Sequence, residues 1–401
     1  MGTDRLAYML AGCAVFLSPY NVLRPPSVYF TAADGMMLMA FLVLLGSGRL
    51  PFEPFGRLTP VWYVGFLAIV GGLVIGGIAH QRLVTGVDII AQYAFAMVVL
   101  PWVLGGRDAE QAKRLLLVWV ASIVVVMLHG IYLMDFASDP PDNMVSPSGR
   151  LRGVLERETE LGAIAALAAV ATMYLATERI ISFAATLIFS AVLLYGIVLT
   201  ASNTGLLALA SGAVSFTILQ RSRRHYVMVG LLIALSCTAL VLGGDDLLPQ
   251  SFRNRVAGAL SSGDLMQAGT FDDRMELTRE GWLVSADHIL IGLGANGFRV
   301  TTHGQPVHNT YVLLLVEGGL LSLVGLSTII GLMAFRGVTL LLKGETRNLG
   351  AMVAAVAVIF GLVLNTFPHI YARFFIVPLV LVTSLAVAGR SVRQGPIAGL
   401  R

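Results

Sequence analysis

The chain has 401 residues, of which 56% are hydrophobic and only 12% are charged. A soluble domain is typically about 45–50% apolar and about 25% charged, so this composition excludes a soluble globular protein. The formal net charge is +4, but the basic residues stand singly between apolar stretches and form no stripe of the kind that binds nucleic acid. We therefore predict an all-α polytopic membrane protein with no nucleic-acid partner.

Apolar stretches of membrane-spanning length recur along the whole sequence. A helix of about 20 apolar residues crosses a hydrocarbon core about 30 Å thick. We predict about 12 transmembrane helices in one integral membrane domain: nine in residues 1–243, then a long loop at 244–307, then three in residues 308–401. The predicted spans are 6–22, 28–46, 61–79, 86–104, 115–134, 159–177, 180–200, 203–219, 226–243, 309–335, 348–367 and 371–389.

The distribution of basic residues orients these spans. An even number of spans puts both termini on one side of the membrane, and Lys and Arg concentrate in cytoplasmic loops. With both termini in the cytoplasm, most of the 27 Lys and Arg residues, including both lysines, lie in cytoplasmic segments. The long loop at 244–307 then lies on the opposite side.

A structureless loop of this length would be unusual, so part of it is expected to fold. Thr270 and Asp273 have the spacing of a capping box, and Phe271, Met275 and Trp282 fall on one side of a helix. We predict an interfacial amphipathic helix at 271–286 with Arg274 in its first turn. The following GLGANG (292–297) matches the dinucleotide fingerprint but follows no predicted strand, so we reject that interpretation.

The strongest candidate site begins at the tenth predicted span. His308 and Asn309 lie at its start, and Glu317 lies nine residues after His308, inside the span. Histidine can act as a base near neutral pH, and ionisable residues at membrane depth are costly and usually functional. The alternative is that Asn309 only caps the helix while Glu317 pairs with an arginine.

Two further polar clusters fall on the same side of the membrane. Arg150, Arg152 and Glu160 precede or begin the sixth span, where they could equally be a solvated charged collar. Asn203 lies in a polar break (200–205) between two spans, and irregular polar backbone at membrane depth is tolerated where it lines a cavity. Guanidinium groups bind phosphate oxygens bidentately, so arginines can hold a pyrophosphate without a metal ion.

Four segments resemble the O-antigen ligase and O-antigen polymerase family of bacterial inner-membrane glycosyltransferases. They are HNTYVLLLVEGGLLSLVG (308–325), DDRMELTREGWLVSADHILIGLGANGF (272–298), GRLRGVLERETELGAIAAL (149–167) and TASNTGLLALASG (200–212). The resemblance implies a GT-C-like helical fold, an active site facing the periplasm, and inverting transfer without a metal or other cofactor. Asn203 departs from the family, whose members carry a basic residue there.

The resemblance implies an undecaprenyl-pyrophosphate-linked glycan as donor. The acceptor is a second lipid-linked glycan in a polymerase, which Asn203 favours, or a lipid A core in a ligase. Further expected partners are the membrane lipids and, as an open possibility, a chain-length regulator. The alternative function is that of a transporter or flippase of lipid-linked sugars. We expect His308 to be the catalytic base, with the remaining candidates binding substrate: Arg274, Arg152, Arg150, Arg279, Asn309, Glu317, Asn203 and Glu160.

Overall fold

A computed structural model describes residues 2–25, 29–155, 157–221, 226, 230, 248–257, 271–302 and 304–388. Regular structure in these residues is helical, with one isolated β-bridge between Val145 and Leu151. We number the longer helices in chain order: α1 Thr3–Leu17, α2 Ala32–Gly46, α3 Thr59–Ala79, α4 Val84–Leu104, α5 Ala109–Asp135, α6 Glu158–Thr177, α7 Phe183–Thr200, α8 Asn203–Gln220, α9 Phe271–Asp287, α10 Thr310–Leu341, α11 Arg347–Val363 and α12 Arg373–Ala388.

Seven of these described helices are long and apolar enough to cross a membrane, namely α3, α4, α5, α6, α7, α10 and α11. α2 and α12 are apolar but shorter. The prediction of an all-α polytopic membrane protein is therefore confirmed, whereas the count of about 12 spans and the GT-C-like arrangement stay predictions. The ninth predicted span (226–243), apart from residues 226 and 230, and the capping residue Thr270 lie outside the described residues.

Two helix ends differ from the sequence prediction for visible reasons. α1 ends at Leu17, five residues early, because Pro19 follows its C-cap Ser18 and a proline cannot continue the helix. α10 runs to Leu341, beyond the predicted end at residue 335. Arg336, which suggested a boundary, is buried and donates from Nε to the Ala386 carbonyl at 3.0 Å.

Helix α6 forms the centre of the bundle. Every residue from Leu161 to Leu175 is buried, and the helix packs against α5, α7, α8 and α11. Its many alanines allow this close approach on all sides, since small residues bring helix backbones together in a membrane. The first turn of α6 is thereby fixed relative to the ends of its neighbours.

Helix α10 is broken at Gly319, whose φ of 67° and ψ of −169° are non-helical. Residues 289–294 pack into the break and pair with the freed backbone: Leu293 N donates to Val316 O and Gly294 N to Glu317 O, both at 2.8 Å. Helix α3 crosses at the same level, where Gly76 lies so close that a Cβ would be 2.9 Å from the Glu317 carbonyl. Part of GLGANG is thus used in packing α3 against α10.

Candidate active site

A cavity of about 530 Å³ lies at one end of the bundle. Its walls come from the α1–α2 connection, the start of α4, the start of α6, the segment before α10 and the α11–α12 connection. Because these segments are distant in sequence, only the folded bundle assembles the site. The ionisable residues in the lining are Arg24, Tyr29, Asp34, Asp88, Arg157, Glu160, Arg299, His308, Glu317, His369, Tyr371 and Arg373.

His308 lines this cavity directly before α10. Its neighbour Val307 is fully buried in a small apolar cluster with Leu293 and Phe298, which fixes the backbone at this point. Burial, and then the positive charges of Arg274 and Arg157, lower the pKa of His308 to about 4. Its imidazole is therefore neutral at neutral pH and can accept a proton.

Asn309 has a capping role next to His308. Its Oδ1 accepts hydrogen bonds from the backbone N–H groups of Tyr311 at 3.0 Å and Val312 at 3.2 Å. Its Nδ2 lies 3.4 Å from Asn365 Oδ1, and its side chain is not among the cavity-lining groups. This geometry matches the capping alternative considered from the sequence and holds the start of α10 in place.

Glu317 is buried and lines the cavity, and it lies two residues before the α10 break at Gly319. The backbone N–H groups of Asn296 and Phe298 lie within hydrogen-bonding reach of its carboxyl group. Within the described part of the chain its partners are thus backbone donors and not an arginine. The contact ties the segment that carries Arg299 to the first half of α10.

Arg150 and Arg152 hold a loop in place beside the cavity. The buried Arg150 donates from Nε to the Thr200 carbonyl at 3.0 Å, and Arg152 Nε lies 3.2 Å from Glu158 Oε1. Burial lowers the pKa of Arg150 to about 10, although the negative charge of Glu158 opposes this. Neither arginine is among the cavity-lining groups, so both are placed to fasten residues 145–155 to α6 and α7.

The other predicted site residues are spread around the same end of the bundle. Arg274, on α9, is partly buried, and its pKa is lowered by burial and by the charges of Arg157 and Arg255. Arg279 is exposed further along α9, and Asn203 is exposed at the first position of α8. The structure therefore brings His308, Glu317 and Glu160 into one cavity, with Arg274 close enough to act on His308 through its charge.

Several cavity residues were not predicted as site residues from the sequence. Arg157 precedes α6, Arg299 follows the GLGANG segment, and His369 lies in the short α11–α12 connection. Arg299 is exposed and donates from Nε to the Gly304 carbonyl at 2.9 Å. The sequence offered one indication of their role. The predicted spans place the connections that carry these three residues on the same side of the membrane.

Arg373 and Asp34 form a buried ion pair between the starts of α12 and α2. The Arg373 guanidinium also lies over the Phe95 ring at 4.9 Å, and Asp34 accepts from the Thr31 backbone N–H at 2.8 Å. Because each charge has several partners, this pair fixes two helix ends at the cavity wall. Among the described residues, no group of three or more His, Cys, Asp or Glu residues could hold a metal ion.

The fold and cavity define a polytopic helical membrane protein with histidines and arginines at one end of its bundle. Residues 185–327 match the family model described as O-antigen ligase, and no curated protein matches the sequence. This part of the chain is therefore similar to O-antigen ligases, which confirms the resemblance to the O-antigen ligase and polymerase family. The match supports a multi-pass inner-membrane enzyme that acts on lipid-linked glycans, and it covers Asn203, Arg274, Arg279, His308, Asn309 and Glu317.

Proposed function

We propose that the protein is a glycosyltransferase that polymerises or transfers undecaprenyl-pyrophosphate-linked oligosaccharide at the periplasmic face of the bacterial inner membrane. The observation that carries this proposal is His308, a neutral and partly buried histidine in a polar cavity, within the segment that matches the family. Arg157 and Arg299 line the same cavity, and the charge of Arg274 acts on His308. A base beside fixed positive charge suits attack on a sugar that carries a pyrophosphate leaving group.

In the proposed reaction, His308 removes the proton from an acceptor hydroxyl as that oxygen attacks the anomeric carbon of the donor. The new C–O bond forms on the face opposite the leaving group, and the bond to the pyrophosphate oxygen breaks with its electron pair. A positioned base contributes about 10²- to 10⁴-fold in rate. Fixed guanidinium groups stabilise the negative charge that grows on the pyrophosphate. The leaving group can therefore depart without receiving a proton.

The pyrophosphate contacts proposed here differ in part from those expected from the sequence. Arg274 keeps its proposed role because its charge acts on His308. Arg157 and Arg299 join it because both line the cavity. Arg150 and Arg152 are engaged by Thr200 and Glu158, so we propose that they support the loop that carries Arg157.

The nature of the acceptor is the finer part of the proposal. Asn203 stands where the resemblance leads us to expect a basic residue, and it is exposed at the break between α7 and α8. One phosphate-binding charge is therefore absent at that position, which we take to favour a polymerase over a ligase. The exposed Arg279 and the cavity residue Glu160 are proposed as weaker substrate contacts.

The decisive experiment compares purified wild type with His308→Ala on undecaprenyl-pyrophosphate oligosaccharide, with products resolved by size. We expect a ladder from donor alone in the wild type and a loss of about 10²- to 10⁴-fold in the variant. His129→Ala is the matched control, since His129 is exposed on α5, outside the cavity lining. We also expect activity to persist in EDTA.

Three outcomes would change the proposal. Wild-type activity in His308→Ala would remove His308 as the base, and loss of activity in EDTA with recovery on adding a divalent ion would establish metal-dependent chemistry. Product formed only after lipid A core is added would make the protein a ligase. Movement of lipid-linked sugar across vesicles without any product would favour the transporter.

A further inference from the structure

His369 is the second histidine of the cavity, and the proposed function gives it no role. It lies in the α11–α12 connection, which is bound to the start of α10. The backbone N–H of Thr310 donates to the Leu364 carbonyl at 2.8 Å, and the Thr310 hydroxyl donates to the Phe367 carbonyl at 2.6 Å. Thr310 follows His308 by two residues and Phe367 precedes His369 by two, so the two histidines are held in a fixed relation.

The ring of His369 is also held in orientation. It stacks on Tyr371 with centroids 4.8 Å apart and planes at 23°, and Tyr371 is supported edge-on by Tyr93 at 4.9 Å. The carbonyl of the preceding residue, Pro368, lies within hydrogen-bonding reach of the imidazole. Because a carbonyl only accepts, the ring nitrogen facing Pro368 carries the hydrogen, and in the neutral ring the other nitrogen carries a lone pair.

The surroundings keep this ring neutral. Burial, and then the charges of Arg157, His308 and Arg299, lower the pKa of His369 to about 3. A neutral imidazole whose N–H is already engaged can only accept a hydrogen bond. The pyrophosphate of a lipid-linked sugar offers only acceptor oxygens, so it has nothing to donate to this nitrogen. A sugar hydroxyl does.

We infer that His369 accepts a hydrogen bond from a hydroxyl of the acceptor sugar and orients the neighbouring hydroxyl towards His308. The inference rests on the proposed function, and it gives the donor and the acceptor different binding residues in the cavity. The arginines are assigned to the donor pyrophosphate, and the His369–Tyr371 pair is assigned to the acceptor glycan.

Binding measured without transfer tests this assignment. The probes are the lipid-free repeat-unit oligosaccharide, the lipid A core oligosaccharide and undecaprenyl pyrophosphate, each titrated into purified full-length protein. We expect wild type to bind one of the two glycans and His369→Ala to bind it about tenfold more weakly, the size of one lost hydrogen bond. Undecaprenyl pyrophosphate affinity should not change. His369→Gln should recover most of the glycan affinity, because its amide oxygen still accepts.

Kinetics supply a second readout that a purely structural role would not move. His369→Ala should raise KM for the acceptor and leave KM for the donor unchanged, whereas His308→Ala should lower kcat. The assignment is overturned if His369→Ala binds the glycan normally or loses undecaprenyl pyrophosphate instead. It is also overturned if His369→Gln loses kcat as fully as His308→Ala, or if neither glycan binds the wild type.

The failure of this inference can be told apart from the failure of the proposed function. A wild type that binds glycan through His369 but never transfers it would refute the glycosyltransferase and leave the glycan site standing. A transferring enzyme whose His369→Ala variant binds glycan normally would refute the glycan site alone. The exposed His129→Ala again controls for loss of a histidine elsewhere in the bundle.

Discussion

At the scale of single residues, the arginines near the two cavity histidines influence the protonation state of these histidines. His308 is neutral at neutral pH because it is buried and because Arg274 and Arg157 lie close to it. A base must be unprotonated to act, so the arginines that are proposed to bind the pyrophosphate also extend the active form of His308 to more acidic pH, while they make it a weaker base. His369 experiences the charges of Arg157 and Arg299 in the same way.

This coupling predicts a shift in the pH profile of transfer. In wild type, the rate should stay high as the pH falls and drop only near pH 4, where His308 becomes protonated. Arg274→Gln removes a positive charge that lowers this pKa, so the drop should move to higher pH. The same variant should lower kcat/KM about 10- to 100-fold, because a charge-assisted contact to the pyrophosphate is lost.

Two variants on α9 separate charge from shape in this experiment. Arg274→Lys keeps the positive charge, so the acid drop should stay near its wild-type position even if the rate falls. Arg279→Gln removes a charge from an exposed position and should also leave the drop in place. An acid drop that does not move in Arg274→Gln would show that another group controls it.

At the scale of one helix, the break in α10 decides where the site residues lie. The first half of the helix carries His308 at its start, and residues 289–294 are bound into the gap after Glu317. The freed N–H of Leu320 donates to the Ile289 carbonyl at 2.7 Å. The segment with Arg299 is thus fixed to the helix that begins beside His308, and a straight helix would leave no room for it.

Gly319→Ala tests this break. Gly319 has a φ of 67°, and a Cβ there would lie 2.6 Å from the Leu290 carbonyl oxygen. This combination of φ and ψ is one that essentially only glycine adopts, and it costs an alanine about 1–3 kcal/mol before the clash is counted. We expect a lower melting temperature in detergent and a loss of transfer. Gly331→Ala, on the same helix with no atom within 4 Å of its Cβ, should change neither, and equal behaviour of the two variants would contradict this account.

The same helix shows what could be predicted from the sequence. The positions of His308 and Glu317 follow from an apolar span with one ionisable residue directly before it and one inside it, and Asn309 has the pattern of a cap. The break after Glu317 could not be predicted, because the glycines equally favour close packing of a continuous helix. The Arg373–Asp34 pair joins residues 339 positions apart, and no local pattern indicates such a contact. For His369, the only feature of the sequence that indicated a place in the site was its position in a short connection between two spans.

At the scale of the whole molecule, several described connections can be assigned to one end of the bundle. The α1–α2, α5–α6 and α11–α12 connections contribute to the cavity. At the far end, Gln220 Nε2 of α8 lies 3.4 Å from Asn348 Oδ1 in the first turn of α11. Arg255, by contrast, acts through its charge on Arg150 and Arg274, so it lies at the cavity end. A ninth span, predicted at 226–243, would connect these two ends.

Cysteine labelling tests both this span and the predicted orientation. In a background with Cys13→Ser and Cys237→Ser, single cysteines replace exposed residues: Asp142 and Gln250 towards the cavity end, Gly344 and Arg221 towards the far end. A membrane-impermeant maleimide that enters the periplasm should label Asp142→Cys and Gln250→Cys in intact cells. Gly344→Cys and Arg221→Cys should react only after the inner membrane is permeabilised, because the positive-inside rule places them in the cytoplasm.

The pattern of labelling separates the possible errors. Arg221→Cys and Gln250→Cys on the same side would remove the ninth span and with it the count of about 12. A complete reversal, with Gly344→Cys and Arg221→Cys labelled from outside, would put the cavity in the cytoplasm. Transfer at the periplasmic face would then be wrong for this chain. The predicted pattern instead opens the cavity of His308 and His369 to the side on which a polymerase or a ligase meets its acceptor.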